Sequence, residues 1–318
     1  MGKYQKSGLK TFFKVFLIVL ASIVMLFLLF ITTLNIYKHF FYNEYFNSLD
    51  KISKNPGLRK GFVPQGITYK DGTYYTAGYM KDGSTSRIYW INEKEQEEHY
   101  VALISNKSPY KGHTGGLQYA FGNFYLADEG NGVYIIPEEE LLNCKSGNFI
   151  DIGFPVQVNN NSSFIFSDDS YLYIGEFNND EQYKTLHPVT YNGIKHKAIV
   201  TKYNFDDLMT PLEIYSIPNE IQGFCITPDG RVVLSRSYGV GSSDFFIYDK
   251  DDIVKTDVLI NKAPVYFFTQ PSKTIKAPCM SEDRDIVDGK VITLFESASN
   301  KYMFGKFFFA NYIAMLDF

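Results

Sequence analysis

Five times after residue 60 the chain repeats one local pattern: a short alternating strand, a tight turn and a second apolar strand. The turns are Asp71-Gly72, Gly122, Asp168-Asp169, Asp229-Gly230 and Asp288-Gly289. Asp-Gly between alternating apolar runs is the strongest short-range hairpin signal, because glycine accepts the positive φ that a tight primed turn needs. A third strand follows each hairpin, at 87–91, 132–136, 198–203, 244–248 and 312–316, and an outer strand shows at 99–103 and 212–217. A repeat of roughly 45–60 residues with four strands each predicts a β-propeller. A β-sandwich also has short strands and frequent turns, but not this long-period echo. The 25 Tyr and 28 Phe fit the same reading, since aromatic residues favour half-buried pleated surfaces. The expected fold class is therefore all-β, a propeller of five four-stranded blades preceded by one transmembrane helix. The fifth unit lacks an outer strand after 312–316. The stretch 48–61 is expected to supply it, closing the ring and removing an open sheet edge.

The apolar run at 16–36 contains no charge and no proline. About 20 such residues cross a bilayer's hydrocarbon core. A cleaved signal has a shorter apolar stretch, about 7–15 residues, ending in a small-x-small site, whereas this run ends Thr32-Thr33-Leu34-Asn35-Ile36. It reads as an uncleaved signal-anchor. Lys3, Lys6, Lys10 and Lys14 precede it, and few basic residues follow closely. The positive-inside rule then puts the N-terminus in the cytoplasm and the C-terminal domain outside the cell. The expected organisation is a cytoplasmic tail (1–15), the span (16–36), a stalk with the ring-closing strand (37–60) and an extracellular propeller (61–318). Tyr37, His39, Phe40, Phe41, Tyr42, Tyr45 and Phe46 read as an interfacial aromatic belt.

The first 36 residues carry +4, and the remainder holds 27 basic against 35 acidic residues. That acidic balance argues against nucleic acid as a partner, which rewards clustered Lys and Arg. Cys144, Cys225 and Cys279 form no metal-binding spacing. Cys225 and Cys279 stand near the starts of neighbouring repeats, but buried separate thiols are the simpler reading. Glu138-Glu139-Glu140 after Pro137 reads as the start of a short helix.

In a propeller the first strand of each blade lines the axis. Aligning the repeats sets Gln65, Gly115, Ser162, Gln222 and Glu282 at one level, with His113 just outside it. The ends of the second strands supply a further level, with Tyr79, Glu129, Glu176, Ser237 and Glu296, flanked by Arg236. The candidate axial pocket is thus Gln65, His113, Gln222, Glu282, Glu129, Glu176, Arg236 and Glu296. Distant positions meeting in this way is what a binding site requires. Three uses remain open. Glu282, Gln65 and Gln222 are oxygen donors of the kind Ca²⁺ takes. His113 or a glutamate is a candidate general base acting on water. The third use is a polar channel that binds a ligand without chemistry, or binds nothing.

The motifs Val63-Pro64-Gln65-Gly66-Ile67, His113-Thr114-Gly115-Gly116, Ser235-Arg236-Ser237-Tyr238-Gly239 and Ala277-Pro278-Cys279-Met280-Ser281-Glu282, with Leu294-Phe295-Glu296-Ser297, run through the region from about Gly61 onward. In them the chain resembles a group of poorly characterised secreted or membrane-anchored bacterial propeller proteins. More distantly it is similar to NHL, lactonase and strictosidine-synthase-like propellers. The lactonase resemblance implies an axial Ca²⁺ on a glutamate, asparagines and an aspartate, but here Gln65 and Gln222 stand where acid or Asn would be wanted. The expected function is a ligand- or partner-binding module at the cell surface, for a protein, glycan or small molecule. The alternative is a Ca²⁺-dependent hydrolase, of the lactonase/esterase or phosphoester class, using the same pocket.

Overall fold

The structure is a computed structural model that describes residues 2–128, 130, 132–302 and 310–318. The chain begins with α1 (Gly2–Phe41), within which Gly8–Phe41 is long and apolar enough to cross a membrane, and none of its apolar window is buried. A short α2 (Asn43–Ser48) and strand β1 (Leu49–Lys54) follow.

The first blade is β2 (Phe62–Lys70), β3 (Thr73–Met80), β4 (Arg87–Asn92) and β5 (Glu98–Ser105), with the two-residue β6 (Ser108–Pro109) on its edge. The second is β7 (Gly116–Ala120), β8 (Asn123–Asp128) and β9 (Gly132–Pro137), followed by α3 (Glu138–Asn143). β10 (Phe149–Asp151) crosses back and pairs in parallel with β5 of the first blade. The third blade holds β11 (Phe164–Ser167) and β12 (Tyr171–Gly175), a surface hairpin of β13 (Val189–Tyr191) and β14 (Ile194–His196), then β15 (Ala198–Asn204) and β16 (Glu213–Ile217). The fourth is β17 (Ile221–Ile226), β18 (Val232–Arg236) and β19 (Ser243–Tyr248). A hairpin of β20 (Ile253–Ile260) and β21 (Ala263–Phe268) leaves it to pair with β16, and β22 (Lys273–Ala277) completes it. The fifth is β23 (Ser281–Val287), β24 (Lys290–Phe295) and β25 (Tyr312–Leu316). Its outer position is taken by β1, antiparallel to β25, with Leu49 opposite Leu316 and Lys54 opposite Tyr312.

The arrangement is a five-bladed propeller, but the second blade departs from the expected four strands. Its fourth strand is reduced to one bridge, Val133 opposite Val156, because β10 is spent on the neighbouring blade's edge. The apolar core lies between blades, where facing sheets interdigitate; Tyr75, Leu117 and Phe124, for example, pack the first blade on the second.

Within 37–60, β1 supplies the ring-closing strand, and part of the segment before it also packs into the propeller. Tyr42 is 3% and Tyr45 0% exposed, and both belong to the core shared by the third, fourth and fifth blades. Tyr45 packs edge-on to Phe245 and Phe295 and donates its hydroxyl to Tyr312. Of the expected belt, Tyr37, His39, Phe40 and Phe41 remain exposed. The reason is geometric. The groove beside the fifth blade's outer edge is open until α2 fills it, and an aromatic side chain gains more from burial there than from a wet interface. Cys225 and Cys279 are buried and not disulfide-bonded.

Candidate functional site

The inner strands β2, β7, β11, β17 and β23 stand round the axis and approach closely. Glycines make this approach feasible, among them Gly66 and Gly223. A Cβ on Gly66 would lie 2.6 Å from the backbone nitrogen of Leu117, and one on Gly223 would lie 2.6 Å from the carbonyl oxygen of Glu282. Each follows an irregularity in its strand. In β2 the register slips between Pro64 and Gly66, leaving Gln65 as the extra residue. In β17 it slips between Ile221 and Gly223, leaving Gln222. In β23 it slips between Ser281 and Arg284, around Glu282 and Asp283. A β-bulge re-aims one side chain out of the pleat's alternation. Three blades thus use the same device to turn Gln65, Gln222 and Glu282 into one cavity of about 450 Å³ at the axis.

The channel is plugged beneath this cup. Asp283, fully buried, accepts hydrogen bonds from the backbone N–H of Leu117 (2.9 Å) and Ile67 (3.3 Å), which lie on two other blades. Asp285 accepts from the Thr68 hydroxyl (2.8 Å) and the Tyr69 N–H (3.1 Å). Gln118 donates to the carbonyls of Arg284 and Ile67 and accepts from Ser167. Inner-strand edges carry backbone groups with no ladder partner, and these side chains satisfy them. Burial raises the Asp283 carboxyl well above the usual range and pushes Asp285 up to about 6. Arg284, also fully buried, lies with its guanidinium 3.9 Å over the Phe245 ring.

The cup's wall is aromatic and polar. Tyr79 donates to Glu296 (2.7 Å), Tyr302 donates to the same carboxylate oxygen (2.9 Å), and the two phenols lie 3.0 Å apart. Burial, then the nearby Glu296 charge, raises the pKa of both tyrosines. The His113 ring sits 4.8 Å from that of Tyr79, and the Lys301 ammonium lies 4.5 Å over the same tyrosine. Met280 (φ 57°) lines the cup, and Thr114 (φ 55°) and Glu220 (φ 66°) stand within two residues of the lining residues His113, Gly115 and Gln222. Left-handed backbone at non-glycine residues is costly, and it collects where a loop must hold a particular shape.

Of the eight residues expected to converge, Gln65, His113, Gln222, Glu282 and Glu296 line this cup. Glu176 does not line it. Its carboxylate is 1% exposed and committed to the N–H groups of Asn161 and Ile199 and to His187 (2.9 Å). Arg236 does not line it either: it turns to Glu220 (2.8 Å) and Asp244 (3.7 Å). Both stand at strand ends, where one residue of slip exchanges the two faces of the sheet. Glu129 lies outside the described residues. Phe177, Gln182, Tyr183 and Lys301 line the cup but were not anticipated, because they sit in irregular loops that carry no periodic signal.

As a cation site the cup offers amide and carboxylate oxygens of the type Ca²⁺ takes, with little charge. Gln65 donates its amide NH₂ to the Pro64 carbonyl, which leaves its oxygen for other contacts. The Glu296 carboxylate already receives two phenols. Among the described residues no three His, Cys, Asp or Glu side chains gather in a metal-binding arrangement.

No protein family and no curated protein matches the chain. Among solved structures it is similar to Myxococcus xanthus glutaminyl cyclase (8% identity, TM-score 0.46, 85% of this chain and 94% of that one). It is also similar to the WD40 β-propeller domain of Doa1 (10% identity, TM-score 0.37, 85% and 96%). A third is a GH43_1 enzyme from Xanthomonas citri (10% identity, TM-score 0.46, 85% and 90%). What the chain shares with these structures is the β-propeller fold.

Proposed function

We propose that the protein is a membrane-anchored binding module whose axial cup takes a small polar ligand, such as a sugar unit, with the propeller held outside the cytoplasm. The observation that carries this reading is the convergence of three bulged side chains, Gln65, Gln222 and Glu282, in a cup walled by Tyr79, Tyr302 and Phe177 and closed below by Asp283. Aromatic faces receive apolar ring surfaces, while amides and carboxylates accept hydroxyl protons. A cavity of about 450 Å³ lies within the range of small-molecule sites, roughly 300–1,000 Å³.

A thermal-shift panel of monosaccharides, disaccharides and amino acids tests it. A ligand present at 100 times its Kd stabilises by about 2.7 kcal/mol, roughly 5–10 °C for a domain of this size. Gln222→Ala should remove the shift and leave the unliganded Tm unchanged within about 2 °C. A ligand whose shift survives both Gln222→Ala and Glu282→Gln would place binding elsewhere.

The second reading is a Ca²⁺-dependent hydrolase, favoured by Glu282 and Glu296 in one cup beside His113. It requires a Ca²⁺-dependent Tm increase in the wild type that Glu282→Ala abolishes. No Ca²⁺-dependent shift would exclude it.

A further inference from the structure

We propose that the face carrying the axial cup rests on the bilayer that α1 crosses, so that the cup opens into the lipid headgroup layer. The proposal rests on α1 spanning a membrane and not on what the cup binds.

The chain path supplies the orientation. Tyr42, immediately after α1, lies 3.0 Å hydroxyl to hydroxyl from Ser242. Ser242 belongs to the loop between β18 and β19, and that loop also brings Tyr238 and Gly239 into the cup wall. From there α2, about 9 Å long, carries the chain towards the opposite face, and Glu44 in its first turn pairs with Lys273 (3.7 Å) at the end of β22 away from the cup. At the far end of α2 the Ser48 carbonyl accepts the Asp317 N–H (2.8 Å), Leu49 pairs with Leu316, and Asp50 bridges Lys290 (2.9 Å). Lys290 opens β24 and Leu316 ends β25, both on the face opposite the cup. The N-terminal end of α2 therefore lies nearer the cup face than its C-terminal end.

α1 joins that end through a bend at Tyr42 (φ −106°, ψ 34°). The helical ladder continues through the junction, with the Tyr42 N–H on the Lys38 carbonyl (2.9 Å) and the Phe46 N–H on the Tyr42 carbonyl (3.0 Å). The His39 ring lies against that of Phe46 at 4.1 Å. None of the apolar window of α1 is buried against the propeller.

The spacing then sets the height. Six residues separate Ile36, the end of the charge-free apolar run, from Tyr42. At 1.5 Å per helical residue that is about 9 Å. The headgroup layer of one leaflet is roughly 5–8 Å deep. With α1 upright, Tyr42 then lies at the outer edge of the headgroup layer, which brings the rim against the headgroups. The loops on that rim expose Val240 (71%), Leu186 (89%) and Tyr238 (47%), side chains suited to an interfacial layer.

The test uses the full chain in lipid nanodiscs, in a Cys144→Ser background, with an environment-sensitive fluorophore on Val240→Cys or Leu186→Cys and, as a far-face control, on Phe121→Cys. These positions are exposed, so the labels leave the core untouched. Quenching by headgroup-spin-labelled lipid should be at least three-fold stronger at Val240→Cys and Leu186→Cys than at Phe121→Cys, and iodide in solution should give the reverse order. Equal quenching at the two faces, or stronger quenching at Phe121→Cys, overturns the orientation. Release of the full chain from vesicles by alkaline carbonate overturns the premise that α1 spans the bilayer. Neither result bears on whether the cup binds a ligand, which the thermal-shift panel measures separately.

Discussion

Tyr45 joins α1 to the ring, and replacing it shows how far the two are one folded unit. Its side chain is 0% exposed, faces Phe245 and Phe295 edge-on at 6.2 and 6.1 Å, and donates a 3.2 Å hydrogen bond to Tyr312. Truncating a buried aromatic to alanine costs about 3–5 kcal/mol, because the transfer term and the residual cavity add. Tyr45→Ala should therefore lower the Tm of the full chain in detergent by roughly 6–20 °C, at about 2–4 °C per kcal/mol. Tyr45→Phe removes only the hydroxyl bond and should cost about 1 kcal/mol. Phe40→Ala, three residues before α2 begins and 82% exposed, serves as the control and should shift nothing measurable. Near-ultraviolet circular dichroism during thermal unfolding reads all three. If Tyr45→Ala melts with Phe40→Ala, the segment after α1 is a stalk and its packing in the groove is not part of the folded ring.

Further outcomes follow from the same contacts. Deleting 49–54 removes the strand paired with β25 and exposes an open sheet edge, so that variant should aggregate or unfold cooperatively at a lower temperature, while a chain beginning at Lys38 should not; sedimentation and unfolding curves distinguish them. Gly66→Ala places a Cβ 2.6 Å from the Leu117 nitrogen and should cost about 1–3 kcal/mol by urea unfolding, whereas Gly241→Ala, with nothing within 4 Å, should be near neutral. His196 is buried against Phe267, and desolvation lowers its pKa to about 4. A depressed histidine contributes stability that is present above its unfolded pKa, about 6.5, and is lost as pH falls towards 4. The wild type should therefore lose stability over that window more steeply than His196→Gln. His187 has the opposite sign. Its hydrogen bond to Glu176 raises its pKa, so its contribution is full below about pH 6.5 and fades as pH rises through the folded value. The stability gap between wild type and His187→Ala should narrow between pH 6 and pH 9.

Features whose physics is local were legible along the chain. A charge-free apolar run declares a span-length helix, and α1 includes it. Asp-Gly turns between alternating strands mark hairpins, and the five units became five blades in the expected order. The residues leading each inner strand were legible as a set because repeats superpose: Gln65, Gln222 and Glu282 do meet. Only the tertiary structure decided which neighbours compete for each group. Glu176 stood level with Glu296 in the aligned repeats, yet nearby N–H groups and His187 hold it out of the cup. Asp283 gave no signal in sequence, because its role is to satisfy strand edges contributed by blades more than 150 residues away. Tyr42 and Tyr45 carry the chemistry of an interfacial belt, and what buries them is a groove that exists only once the fourth and fifth blades have assembled. Periodicity and turn chemistry are written along the chain; the partner of a buried polar group or an aromatic ring is set by closure of the ring, which brings together residues that no local pattern relates.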